Sequence, residues 1–155
     1  MSKTLILIPS RLTATRLPGK PLLKINNLSI ISHVVKKALK SRIGEVCVCT
    51  GDKEIFEDVK NNGGNCVLTI QDHKTGTDRI YEGFKKLNLN VDYVLNIQGD
   101  EPMIDIDDIK NLNRIAQKNQ SEIATLACKI DDNKKINDEN IVKVETYDEL
   151  NTKNS

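Results

Sequence analysis

Short apolar runs rich in β-branched residues alternate along this chain with stretches of helical period, the pattern of βαβ units and a mainly parallel sheet. Residues 5–8, Leu-Ile-Leu-Ile, read as a first buried strand. After a polar stretch over 9–21, Ile30, Ile31, Val34, Val35, Ala38 and Leu39 recur at three- and four-residue spacing with Lys36, Lys37 and Lys40 opposite. That spacing predicts an amphipathic helix ending near Gly44. A second strand is expected over 46–50. Asp52 is placed to cap a helix carrying Ile55, Phe56 and Val59, which Asn62-Gly-Gly64 stops. A third strand is expected over 66–69 and a helix marked by Ile80, Phe84 and Leu87. The fourth strand, over 93–97, is the strongest, and the next helix carries Ile106, Ile109, Leu112 and Ile115. Residues 123–130 and 141–146 are read as one further strand each, separated by a polar segment over 131–140. The last ten residues hold little apolar surface and are expected to fray.

At 155 residues the chain suits one domain: a nucleotide-binding unit over 1–145 with a polar tail over 146–155. Twenty-three Lys+Arg against twenty-two Asp+Glu leave a net charge of +1, so no global basic field recruits nucleic acid. With no Trp and 3% aromatics, stacking of bases on an aromatic platform is also a poor fit. No apolar run approaches a membrane span, and Pro9 interrupts the N-terminal apolar run before a signal-peptide core could form. A cytoplasmic protein is expected. Cys47, Cys49, Cys66 and Cys128 are too irregularly spaced for a zinc ribbon and are read as buried, reduced thiols. The Asn-x-Ser matches at Asn27 and Asn119 need a secretory context that the sequence does not supply.

In open α/β sheets ligands bind beyond the carboxyl ends of the strands, so the loops after strands one, three and four belong together. The first carries Arg11, Arg16 and Lys20 around Gly19, over about a dozen residues where two to six usually suffice. Arg offers a planar fork to phosphate oxygens and Lys a compact charge, so the loop reads as a polyphosphate cradle rather than an idle solvated loop. It is not a P-loop, because Pro21 follows Lys20 and no Gly stands five residues before Gly19. The second loop reaches Gly76 and Thr77 at the start of a helix, suited to an anion or a nucleobase edge; Thr77 and Asp78 are equally suited to capping that helix. His73 is read as a structural hydrogen-bond partner, and with His33 on the apolar side of a helix there is no His pair for a metal. The third loop presents Gln98, Asp100 and Glu101 before Pro102, and Asp100 is the best candidate for holding Mg2+, the competing reading being an acidic turn. A cradle and a metal carboxylate at one sheet edge specify substitution at phosphorus, the work of a nucleotidyltransferase.

Ile8-Pro-Ser-Arg-Leu-Thr-Ala-Thr-Arg-Leu-Pro-Gly-Lys-Pro-Leu22, His73-Lys-Thr-Gly-Thr-Asp-Arg79 and Asn96-Ile-Gln-Gly-Asp-Glu-Pro-Met103 closely resemble the 3-deoxy-manno-octulosonate (KDO) cytidylyltransferases, or CMP-KDO synthetases. The resemblance spans essentially the whole chain, with Ala124-Thr-Leu-Ala127 and Asn140-Ile-Val-Lys-Val144 continuing it. The sibling CMP-sialic acid synthetases lack the Thr-Arg-Leu-Pro-Gly-Lys run. The resemblance implies a Rossmann-like nucleotidyltransferase fold and, for lipopolysaccharide synthesis, conversion of CTP and KDO to CMP-KDO and pyrophosphate with Mg2+. By position it implies that Arg11, Arg16 and Lys20 bind the triphosphate and that Asp100 ligates Mg2+. Thr75, Arg79 and Gln98 would hold the cytidine or the adjacent edge, with Pro9 and Ser10 lining the base. Ser10 stands where the family usually has Ala, and Ala14 where it has Ser, so a hydroxyl contact is displaced or lost, with Thr13 and Thr15 as neighbouring candidates. Thr75 keeps the hydroxyl of a usual Ser. The family implies a homodimer, but this chain stops where the sugar-binding, dimer-forming half and a second metal aspartate would begin. The alternative expectation is a catalytically inactive CTP-binding module or truncated fragment.

Overall fold

The computed structural model describes residues 3–13, 17–70 and 72–145. Strands β1 (Thr4–Ser10), β4 (Gly44–Thr50), β5 (Cys66–Leu68) and β6 (Tyr93–Asn96) form one sheet in the order β5-β4-β1-β6, and every pairing in it is parallel. The first strand is buried along its whole length, which is why it reads as an unbroken apolar run rather than an alternating one. Helices α1 (Ile30–Ser41) and α2 (Lys53–Asn61) connect β1 to β4 and β4 to β5. Then α3 (Gly76–Leu87) carries the chain back past β1 to β6, and α4 (Ile106–Asn119) follows. The expected α/β class, a mainly parallel sheet flanked by helices, is the observed one.

Reversal of direction at β1 puts the helices on opposite faces, since parallel crossovers are right-handed. Ile6 and Ile8 point to one face and pack with Ile31, Val34 and Val35 of α1, Ile55 and Val59 of α2 and Ile109 of α4. Leu5 and Leu7 point to the other, with Cys47, Cys49 and Ile80 of α3. Helix α3 lies so close to β4 that a Cβ at Gly83 would come within 2.3 Å of Cys49 Sγ. The strand order changes direction between β1 and β6, and there the two carboxyl ends leave a crevice.

Several sequence expectations are corrected. No strand forms over 123–130 or over 141–145, while residue 146, like the rest of the tail expected to fray, lies outside the described residues. Ile123 and Val142 are 91% and 92% exposed, so their β-branched side chains have no packing to fix them as strands. A two-stranded hairpin, β2 (Lys24–Ile25) with β3 (Leu28–Ser29), precedes α1 where no strand was expected. It turns on Asn26 and Asn27, both at positive φ, a backbone state Asn tolerates better than most residues. His33 Nε2 lies 2.8 Å from the Ile25 carbonyl oxygen and ties the hairpin to α1. Of the cysteines only Cys47 and Cys49 are buried; Cys66 is intermediate and Cys128 exposed. Asp52 occupies the N-cap position of α2, and its carbonyl accepts from Phe56 N, but its side chain makes no capping bond, for a reason that belongs to the site. A four-residue helix, α5 (Asn133–Ile136), lies in the polar segment after α4.

Candidate active site

At the end of β1 the chain leaves Ser10 into the long first loop, whose neck is closed by its own backbone. Gly19 N donates to the Leu12 carbonyl at 3.0 Å, with Gly19 in the left-handed region at φ 72°. Leu12 N in turn donates to Asp52 Oδ2 at 2.9 Å, so the carboxylate expected to cap α2 instead anchors this loop. The neck brings Arg11 and Lys20 to the same cavity. Residues 14–16, with Arg16 and its expected phosphate contact, lie outside the described residues, and so does Thr15. Lys20 starts a short 3-10 helix, Lys20–Leu22, that packs on α1 and α2.

The loop after β6 presses against the end of β1. A Cβ at Gly99 would lie 2.7 Å from the Pro9 carbonyl oxygen, so only glycine lets the backbone come this close. Gly99 thereby sets Gln98 and Asp100 at the mouth of the crevice. Lys20 Nζ meets Asp100 Oδ2 at 2.7 Å, with the two side chains 35% and 53% exposed.

Opposite them the N-terminus of α3 approaches Pro9, whose Cγ would be 3.2 Å from a Cβ at Gly76. Thr75 is the N-cap: its hydroxyl accepts from Asp78 N at 3.0 Å and its backbone N–H donates to Asp78 Oδ2 at 3.2 Å. The capping role foreseen for Thr77 and Asp78 is thus divided between Thr75 and Asp78. Arg79 is 3% exposed, and its Nη1 donates to Thr69 Oγ1 at 2.6 Å and to the Ile70 carbonyl at 3.1 Å. Burial pulls its pKa below the ordinary arginine value, opposed by Asp52 and aided by Arg11. His73 Nε2 sits 2.6 Å from Glu82 Oε2, the structural role read from the sequence. Glu82 also receives Lys86 Nζ at 2.7 Å and the Ile70 N–H at 3.1 Å. The Lys86 contact, helped by those of His73 and Ile70 and opposed by partial burial, pulls its carboxyl down to about 2.

Pro9, Ser10, Arg11, Lys20, Thr75, Arg79, Gln98 and Asp100, chosen from three separate loops, all line one cavity of about 550 Å³. Sequence reasoning missed two supports: the loop anchor that Asp52 makes through its side chain from the N-cap position it was given, and Glu82, which no motif marks. Gly99 was legible only as part of the third motif. Nothing among the described residues gathers three or more His, Cys, Asp or Glu side chains around a metal. Asp100 is a carboxylate in the lining of the cavity, and an ion of the Mg2+ kind takes one or two carboxylates and fills its remaining positions with water and phosphate oxygens.

A crevice at the switch point of a parallel sheet, lined by Arg11, Lys20 and Arg79 together with hydrogen-bonding groups, has the chemistry of a site for an anionic ligand. The chain belongs to the cytidylyltransferase family, whose model matches residues 5–154. It is 43% identical over 145 residues to the 3-deoxy-manno-octulosonate cytidylyltransferase of Rhodopseudomonas palustris (strain BisB18), covering 92% of this chain and 59% of that protein. The protein of the same name from Nitrobacter winogradskyi is 41% identical, with 92% and 57% covered. Among solved structures, a CMP:2-keto-3-deoxy-manno-octonic acid synthetase complexed with CTP superposes with a TM-score of 0.73 at 40% identity, over 77% of this chain and 49% of that one. The chain thus spans somewhat under three fifths of the length of these curated relatives. No helix among the described residues is long and apolar enough to cross a membrane.

Proposed function

We propose that this chain binds CTP in the crevice between β1 and β6 and transfers its cytidylyl group to KDO, releasing pyrophosphate. The observation that carries the reading is the convergence of Arg11, Lys20, Asp100, Gln98, Thr75 and Arg79 on one cavity in a chain whose relatives bear that name. The anomeric hydroxyl of KDO attacks the α-phosphorus, the bond to the bridging oxygen breaks, pyrophosphate leaves and the hydroxyl proton passes to solvent. Arg11, Lys20 and Arg16 neutralise the triphosphate and the charge that develops on the leaving group. Pro9 and the backbone of Ser10 border the base, with Gln98, Thr75 and Arg79 along its polar edge. Asp100 would hold Mg2+, which supplies further neutralisation of phosphate charge. Lys20 must exchange Asp100 for a phosphate when the nucleotide enters, and that exchange frees the carboxylate for the metal. CTP and KDO are its small-molecule partners in this proposal.

Calorimetric titration of the purified chain with CTP and with ATP, each with Mg2+, tests the nucleotide assignment. CTP is expected to bind more tightly; equal affinities would reject a cytidine site.

A further inference from the structure

Buried hydroxyls among the described residues are partnered, with one exception. Thr4 donates to Asn113, Ser29 and Ser32 to Asp58, Ser41 to the Ala38 carbonyl and Thr69 to the Ile70 carbonyl, and Thr50 accepts from Asp52 N. Ser10 is 6% exposed, and its Oγ has no hydrogen-bond partner among the described residues. A buried polar group left unsatisfied is costly and calls for an explanation. Ser10 also lines the cavity, so a bound molecule is within reach of supplying what the protein does not.

Its position selects the kind of partner. Alternation along β1 puts Ser10 on the face of Ile6 and Ile8, away from Leu5, Leu7 and α3. A Cβ at Gly99 would meet Ile31 Cδ1 at 3.2 Å and Ser10 Cβ at 3.4 Å, which places the Ser10 side chain beside α1 and the Asp100 loop. The 3-10 helix that begins at Lys20 packs on the same face. Of the groups assigned to the base, Thr75 and Arg79 belong to the N-cap and first turn of α3 on the other face, and Gln98 to the loop that carries Asp100. The hydroxyl therefore shares its side of the crevice with a lysine ammonium and a candidate metal carboxylate. A neutral O–H there serves as a donor to an anionic oxygen.

We propose that the Ser10 hydroxyl is a specificity-determining contact that donates a hydrogen bond to a phosphate oxygen of the bound polyphosphate. The inference rests on the reading of the cavity as a nucleoside triphosphate site. It divides Ser10 between two duties: backbone toward the base, hydroxyl toward the phosphates.

Wild-type chain, Ser10→Ala and Ser10→Cys are titrated calorimetrically with CTP, pyrophosphate and cytidine in the presence of Mg2+. Ser10→Ala deletes an oxygen with no protein partner, so its thermal midpoint is expected to equal or exceed that of the wild type. Loss of a hydrogen bond to a charged group should weaken CTP and pyrophosphate by about tenfold or more, with cytidine unchanged. Ser10→Cys, which keeps the shape with a weaker donor, should fall between the two. Equal weakening of cytidine and CTP would overturn the proposal, and so would CTP and pyrophosphate affinities that ignore both substitutions. Pyrophosphate binding that depends on Ser10, in a chain that does not prefer CTP to ATP, supports the contact while removing the cytidylyl reading. Pyrophosphate binding indifferent to Ser10, in a chain that does prefer CTP, removes the contact and keeps that reading.

Discussion

The two sides of the crevice are built differently. On the α3 side the polar groups already bond to one another: Thr75 to Asp78, Arg79 to Thr69, His73 to Glu82. That wall exists before any ligand arrives and costs little to reorganise. On the side of the 3-10 helix the ion pair of Lys20 with Asp100 is partly open to solvent, and Ser10 beside it has no partner among the described residues. An exposed ion pair contributes only about 0–1 kcal/mol, so a polyphosphate can displace it without unfolding anything. In the proposed reading, the wall assigned to the base is preorganised and the wall assigned to the phosphates holds an ion pair that a ligand can exchange.

The largest effect should come from breaking the exchange. Lys20→Ala is expected to weaken CTP by roughly tenfold to a hundredfold, the worth of a charge-assisted bond, while leaving folding stability within about 1 kcal/mol. Asp100→Asn should abolish the gain in CTP affinity that Mg2+ provides, without weakening metal-free CTP. Titrations in Mg2+ and in EDTA, paired with thermal melts, read both. An Asp100→Asn chain whose CTP affinity still rises with Mg2+ would place the metal elsewhere.

A smaller effect marks the preformed side. The Glu82 carboxyl falls from 4.5 to about 2 on folding. Because its folded pKa is depressed, its contribution is fully present above about 4.5 and is lost as pH falls toward about 2, where the native state must also take up the proton. Urea unfolding between these values should show wild-type stability declining with acid, and Glu82→Gln should flatten that slope. A slope identical in both chains would separate Glu82 from the stability of the His73 wall.

The same contrast explains what was legible in the sequence. β1 and most of β4 are buried on both faces and announce themselves as apolar runs, while the half-exposed outer strands β5 and β6 show as shorter apolar stretches, and all four were found close to their observed bounds. The meeting of the described candidate residues in one cavity was legible because a parallel sheet sends its strand ends to one edge, so motifs far apart in the chain had one place to meet. Residues 123–130 and 141–145 carry a strand-like pattern, yet no strand forms there. Pattern reports which side chains suit a pleated surface, but a strand also needs neighbours to bury them, and Ile123 and Val142 are almost fully exposed. The Asn26-Asn27 hairpin was missed because its strands are two residues each, too short for any period to appear. Asp52 and Glu82 were missed because their partners are a loop amide and a cluster fixed only by the fold. The Ser10 hydroxyl could be seen as a departure from the family, but only packing shows that it is buried without a partner.

Pyrophosphate release by this chain tests the central claim most directly. The account predicts release only when CTP, KDO and Mg2+ are present together, and its loss in Asp100→Ala. Release at the same rate without KDO, or undiminished in Asp100→Ala, would contradict it, and CTP binding with no release under any of these conditions would reduce the chain to a CTP-binding module.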